Sequence, residues 1–411
     1  MTYSAPYHVR AVQCDHRAGD KEIYAALQRA TAPLDDAWER LTRARRITVK
    51  FNQARVAERR HKFEGHLREL VDDKVARALL RLLRERTDAE IVCTEISNDA
   101  LWLGCPVEET ITLMPVLREF EVPFINGNVP PHRVCDVPGG GLMFQQYLLP
   151  ESVVETDAVV SVQKMKSHVS MGVTLALKNL FGLTPTEPYG RGRQYFHHFI
   201  RLPYVLVDLG RIVRPTLSIV DALVAQTGRE WNGEGVVADT LVAGDHVVAT
   251  DACGTHLMGH DPLGDWPDQP FLRDANALRI AHESGFGTAD LDQIDFQSEV
   301  TAPVASFSTI ETDPFETTLA WRRSTCEQAL HYRDHRKQYL DRYAGQYILL
   351  QDNEVRWHSE IGAFSQSRRE LAGADKLSAM WLKLVDPEEA EGEHYDVYER
   401  VLSGIRAAYG G

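Results

Sequence analysis

Lys164, Lys166 and His168 stand at alternate positions, and Lys178 and Asn179 follow in the segment ALKNLFG. Ammonium groups gathered this way can hold a carboxylate or phosphate through charge-assisted hydrogen bonds. Each lysine also disfavours its neighbour's charge, which makes a base or nucleophile of an otherwise inert amine. Histidine is the side chain whose ordinary pKa lies nearest neutrality. The catalytic set read from these residues is His168, Lys178 and Lys166, with His168 as general acid or base and Lys166 or Lys178 as base or nucleophile. Neighbouring ammonium groups should lower the pKa of His168 and keep it neutral. Lys50, Asn52, Lys164, Asn179, Asp221, Arg193 and Glu230 complete the set as substrate-binding groups. The function that fits is an enzyme acting on a small anionic metabolite by acid–base or lysine-assisted chemistry.

Three other readings use the same residues. The lysines could pair with Asp157, Asp221 and Asp251 as buried ion pairs, although so many cations near one strand favour a site. His168, His198 and Asp221, with Glu230, could hold a divalent iron, manganese or zinc ion, since imidazole and carboxylate suit those metals. The chain could also be a non-catalytic binding or assembly protein.

The elements that must position these groups are legible. Val159, Val160, Ser161 and Val162 form an apolar β-branched run, the mark of a buried strand, and it leads directly into the lysines. Gly172 interrupts, Val173 to Leu180 reads as a short apolar helix, and Gly182 is placed to cap it. Ile47 to Asn52 is a strand that puts Lys50 and Asn52 on one face. Residues 53–69 are charged and read as a surface loop or lid. Helix Asp72–Arg86, strand Ala89–Ile96, helix Val107–Phe120 and strand Val122–Asn126 give the rhythm of a parallel, doubly wound sheet. No GxGxxG follows the first strand, and Gly139 to Gly141 reads as a turn before a strand, Leu142 to Leu148. A long helix, Gln194 to Val213, would carry His197 and His198 about 100° apart, so only one can face the site. Thr216 to Val220 is a strand ending at Asp221, Gln226 to Gly235 a loop, and Thr240 to Ala243 a strand. The strand ends near Asn52, Glu95, Lys164 and Asp221 should meet at one cleft. Residues 1–18 show no pattern.

The expected architecture is α/β, with mostly parallel, doubly wound sheets in two lobes around a central cleft and a small α+β C-terminal appendage. The boundaries fall at 1–156, 157–300 and 301–411. Of the 411 residues 44% are hydrophobic, enough for a full core, and the net charge of −14 argues against a general nucleic-acid binder. No apolar run is long enough to span a membrane, and the first residues lack the apolar core of a signal peptide. The six cysteines are scattered without a CxxC, so no built-in iron–sulfur cluster is expected. Scattered thiols suggest a cytoplasmic protein with a small-molecule substrate, whether monomer or homo-oligomer.

Lys50-Phe51-Asn52, DAVVSVQKMKSH, GVTLALKNLFG, RPTLSIVDAL and VAGDHVVATDACGTHLMGHDP together resemble the domain of unknown function 362 family. Many of its members carry ferredoxin-like cysteine motifs and are regarded as iron–sulfur proteins; this chain departs from them in lacking those cysteines. The order of parts is also distantly similar to the lactate racemase family, which holds a nickel-pincer nucleotide between two α/β domains. That likeness implies a cleft between lobes.

Overall fold

The computed structural model describes residues 7–186, 195–361 and 377–410. Its first element, β1 (Tyr7–Gln13), lies in the stretch without sequence pattern and buries Val9, Ala11 and Val12. Helices α1 (Asp20–Thr31) and α2 (Asp35–Arg43) follow, divided near Pro33, whose ring cannot continue the first. Then come β2 (Arg46–Phe51), α3 (Asp73–Arg86), β3 (Glu90–Glu95), α4 (Asn98–Leu103) and β4 (Phe124–Asn126). Val75, Leu79, Leu80 and Leu83 of α3 turn inward as their spacing requires, and the Asp72 carboxylate caps the helix by accepting from the Lys74 amide. The central stretch gives β5 (Ala158–His168), β6 (Gly172–Thr174) and α5 (Ala176–Asn179). After it come α6 (Arg201–Val213), β7 (Leu217–Thr227), β8 (Glu234–Gly244), α7 (Val247–Leu257) and β9 (Ile294–Ser298).

These strands form one nine-stranded sheet in the order β9-β1-β8-β7-β5-β2-β3-β4, with β6 folded back on the end of β5. Strands from both sides of residue 156 are therefore hydrogen-bonded into a single sheet. The run β7-β5-β2-β3-β4 is parallel, and β8 and β6 run against their neighbours. The sheet is covered on both faces. Val159 and Met165 of β5 pack in the core shared with α5, α6 and α7, whereas Ala158, Val160 and Val162 pack in the core shared with α1, α2 and α3. A strand covered twice has no polar side, which is why Val159–Val162 reads as a continuous apolar run.

Several expected boundaries move. The Thr216–Val220 strand continues to Thr227, so Asp221 lies inside β7 and not at its end. The helix expected from Gln194 starts at Arg201; Ile200 has φ 69°, a left-handed backbone that a β-branched residue rarely adopts, and it breaks the helix there. His197 and His198 consequently lie in an irregular segment. Val173 and Thr174 belong to β6, so the helix expected from Val173 is only α5, followed by a 3₁₀ turn at Leu180–Leu183. Gly139 and Gly140 have positive φ, as a turn would use, but the next strand is Gln146–Pro150.

The C-terminal part holds α8 (Phe315–Asp334), strands β10 (Tyr347–Gln351), β11 (Glu354–Ser359) and β12 (Trp381–Leu384), and α9 (Tyr395–Tyr409). Its antiparallel sheet, β11-β10-β12, is joined to α6 by buried charges. Glu393 takes Arg201 Nη2 at 2.7 Å and Lys383 Nζ at 2.8 Å, and Lys383 Nζ also reaches Glu391 at 2.6 Å. The charges balance two against two, which is the condition for burying them. Among the described residues no helix is long and apolar enough to cross a membrane.

Candidate functional site

The carboxyl ends of β2, β3 and β5, the end of α5 and the tip of the β7–β8 hairpin enclose a cavity of about 420 Å³, lined among others by Lys50, Asn52, Lys166, His168, Lys178 and Glu230. Parallel strands present their carboxyl ends on one sheet edge, and polar side chains gather there.

Two of the lysines are neutralised where they stand. Lys50 Nζ donates to Glu95 Oε2 at 2.9 Å and to Asn179 Oδ1 at 3.0 Å. Asn179 Nδ2 donates in turn to the Lys50 and Val162 carbonyls and to Ser161 Oγ, so it ties α5 to β2 and β5. The glycine of KNLFG serves the same contact: a Cβ on Gly182 would lie 3.0 Å from Lys50 Cε. Lys50 and Asn179, expected to bind substrate, thus line the cavity while bracing its wall. Lys164 is sealed off: its Nζ lies 2.7 Å from Asp221 Oδ2, both side chains are fully buried, and neither lines the cavity. Asp221 Oδ2 also accepts from the Asp72 amide at 2.8 Å. The ion-pair reading therefore holds for Lys50 and Lys164, with Glu95 in place of one expected carboxylate. Asp157 instead accepts from the Arg45 and Arg46 amides, and Asp251 from the Ala176 and Leu177 amides at the start of α5.

Lys166 is different. It is 2% exposed yet lines the cavity. Its Nζ donates to the Glu69 carbonyl at 2.8 Å and to Asn52 Oδ1 at 3.2 Å, and lies 4.6 Å from the centre of the Trp231 ring. Burial pulls its pKa down to about 7, the Glu69 and Glu230 carboxylates resist, and Lys178 and Lys164 add to the fall.

His168 Nδ1 accepts the amides of Ser170 at 3.0 Å and Met171 at 3.2 Å. That network assigns the ring proton of the neutral imidazole to Nε2. Burial, then Lys178 and Lys166, lower its pKa to about 4 against the pull of Glu230. Burial is thus the leading cause, ahead of the ammonium groups. Glu230 Oε2 accepts the Val169 amide at 3.1 Å and lies 3.7 Å from His168 Nδ1. Burial disfavours its charge, but His168, its own and the Val169 amide, and His197 outweigh that and hold its pKa at about 2.

Lys178, half-buried on α5, lines the same cavity, its Nζ 4.6 Å from the Phe181 ring centre. Of the adjacent histidines His197 lines the cavity, its ring 6.2 Å from that of His168. His198 is buried against the C-terminal sheet, where its Nε2 accepts the Leu382 amide at 3.4 Å. His168, His198 and Asp221, raised as metal ligands, do not meet: Asp221 belongs to Lys164 and His198 to β12. A separate group with ligand atoms within 4.8 Å of one another is Asp15, His16 and Asp239. Arg193 lies outside the described residues.

Nothing in the sequence pointed to Glu69, taken as part of a surface loop but 1% exposed, or to Thr174 and Trp231 as parts of the site, and Glu95 was placed at the cleft without its role as the partner of Lys50. Glu95 had a signal, a carboxylate at a strand's end; Glu69 had none, because its burial depends on the hairpin tip, whose Asn232 amide its carboxylate accepts.

A family model described as Domain of unknown function (DUF362) matches residues 50–256. The thylakoid-associated protein sll1697 of Synechocystis sp. (strain ATCC 27184 / PCC 6803 / Kazusa) is 28% identical over 153 residues, covering 33% of this chain and 46% of that protein. The lactate racemase apoprotein from Thermoanaerobacterium thermosaccharolyticum superposes with a TM-score of 0.37 at 9% identity, covering 60% of this chain and 55% of that one. The chain spans about half the length of each of these two proteins.

Proposed function

The chain belongs to the Domain of unknown function (DUF362) family, every residue lining the cavity falls within the matched span, and from this we propose an enzyme acting on a small carboxylate- or phosphate-bearing metabolite. Lys166 is the proton-transfer group. The observation that carries this reading is its placement: a lysine at the cavity wall, held by two fixed acceptors and poised to gain or lose a proton near neutrality. His168 acts as a neutral hydrogen-bond donor through Nε2, because its other nitrogen is spent on two backbone amides and its pKa is far below working pH. Lys178 supplies positive charge for the anion. Lys50, Asn179 and Lys164 keep the strand ends in register.

Calorimetric titration with acetate and with sulfate tests this, since neither anion changes charge between pH 6 and pH 9. Lys166 is charged below about 7 and neutral above it, so both anions should bind more weakly at the higher pH. Equal affinity at the two pH values, or no binding of either anion, would sink the reading.

A further inference from the structure

We propose that Lys166 is the nucleophile that forms an iminium with the carbonyl carbon of a 2-oxo acid, and that Thr174 holds the carbonyl oxygen during attack. This rests on the reading of the cavity as an anion site and names its substrate class. In the antiparallel pairing of β6 with β5, Thr174 stands directly opposite Lys166. Side chains opposed in this way start about 5 Å apart and project from one face. The Thr174 hydroxyl lines the cavity, belongs to a residue 5% exposed, and has no hydrogen-bond partner among the described residues. Leaving a buried hydroxyl unsatisfied is costly, so one that faces a cavity is suited to donate to a ligand oxygen. The next pair on the same face of the hairpin is His168 with Gly172, a glycine with φ +70° against which Phe271 and Pro270 pack.

The chemistry follows from what the amine already does. Lys166 Nζ donates two N–H bonds, to the Glu69 carbonyl and Asn52 Oδ1. A neutral amine so engaged keeps its lone pair in the remaining tetrahedral direction. Attack forms the C–N bond as the C=O π pair moves to oxygen, where Thr174 Oγ1 can donate. Attack leaves the nitrogen cationic, and one of its protons passes to that oxygen, which gives a neutral carbinolamine. One further proton carries the hydroxyl away as water, and the nitrogen lone pair, freed by the first transfer, closes C=N⁺. The balance is amine plus carbonyl plus one proton giving iminium plus water, with no change of oxidation state. A site that excludes bulk water favours that loss and slows the reverse. Desolvation and neighbouring ammonium groups are the established means of making a lysine amine nucleophilic at neutral pH, and Lys166 has both, with Lys178 and Lys164 as the neighbours. The carboxylate beside the carbonyl is the part that Lys178 and His168 address.

The unaltered chain is incubated with pyruvate and sodium borohydride at pH 7, and the trapped lysine is mapped by peptide mass spectrometry. Reduced adduct should sit on Lys166 at least about tenfold above any other lysine, because ordinary lysines are almost wholly protonated at that pH. Acetate, which has the carboxylate without the carbonyl, should compete. Thr174→Val, which removes only an unpartnered hydroxyl, should slow trapping on the order of 10²-fold. Binding of acetate and pyruvate without adduct at Lys166, or adduct spread evenly over surface lysines, overturns the iminium and leaves the anion site standing. Failure of both anions to bind overturns the two together.

Discussion

Lys50 and Asn179 hold each other reciprocally: the Lys50 ammonium donates to the Asn179 side-chain oxygen at 3.0 Å, and the Asn179 amide donates to the Lys50 carbonyl at 2.9 Å. These residues come from motifs 129 positions apart, so KxN and KNLFG are two halves of one joint. The joint also carries the buried Glu95 carboxylate. Lys50→Met should therefore cost about 3–5 kcal/mol, because it strands that charge. Denaturant unfolding measures the loss. The double variant with Glu95→Leu should recover most of it, and a single-variant loss below about 1 kcal/mol would remove the bracing role.

His168 as donor and His168 as proton shuttle part company in a glutamine variant. Glutamine can accept the Ser170 and Met171 amides and still donate toward the cavity, but it cannot exchange protons near neutrality. His168→Gln should keep acetate affinity within about threefold, whereas His168→Leu should lose about tenfold or more. A turnover assay, once a substrate is in hand, should show the glutamine variant within about tenfold of the parent. A fall of 10²–10⁴ would return the acid–base role to His168.

The alternation of Lys164, Lys166 and His168 pointed to the strand end beside the cavity, and of the four strand ends expected to meet, Asn52 and Glu95 line it while Lys164 and Asp221 do not. What spacing could not show was that neighbours two residues apart meet opposite fates. Lys164 finds Asp221 across the parallel ladder, while Lys166 lies past a register shift that sets it opposite Gln226 and reaches a backbone carbonyl and an asparagine. Ion partners are long-range facts, and a sequence shows only candidates. The same holds for His197 and His198: helical geometry allowed one to face the site, but a strained Ile200 and the C-terminal sheet decide which. The strand at Tyr7–Gln13 escaped notice because a strand covered on both faces in a mixed sheet need not alternate.

His246 offers a pH test away from the cavity. It caps α7 by accepting the Val248 amide, and burial, then Arg214 and Arg40, lower its pKa to about 4. Between about 4 and the ordinary 6.5 the unfolded chain binds a proton that the folded one refuses. Stability from this group is present above 6.5 and is lost as pH falls toward 4. His246→Asn keeps the capping acceptor without the titration. Unfolding curves across that window should flatten by about 1.4 kcal/mol per pH unit at most. An unchanged slope would exclude His246 as a source of acid sensitivity.

Glu393 joins the C-terminal sheet to α6 through Lys383 and Arg201. Glu393→Gln leaves two buried cations with only Glu391 between them, and should cost about 3–5 kcal/mol. Because Arg201 begins the helix just after His197, the variant should also shift the His197 imidazole resonance. Loss of stability with an unmoved His197 signal would show that the joint is mechanical and stops short of the cavity.

The tip of the β7–β8 hairpin brings Glu230 and Trp231 to a cavity otherwise built on strand ends and a capped helix. Lengthening a hairpin loop costs little closure entropy, since each doubling adds only about 0.6 kcal/mol. Changing β5 disturbs two cores at once. Inserting, deleting or exchanging residues at one hairpin tip can therefore revise what the cavity admits without disturbing the lysine-bearing strand or the two cores it joins.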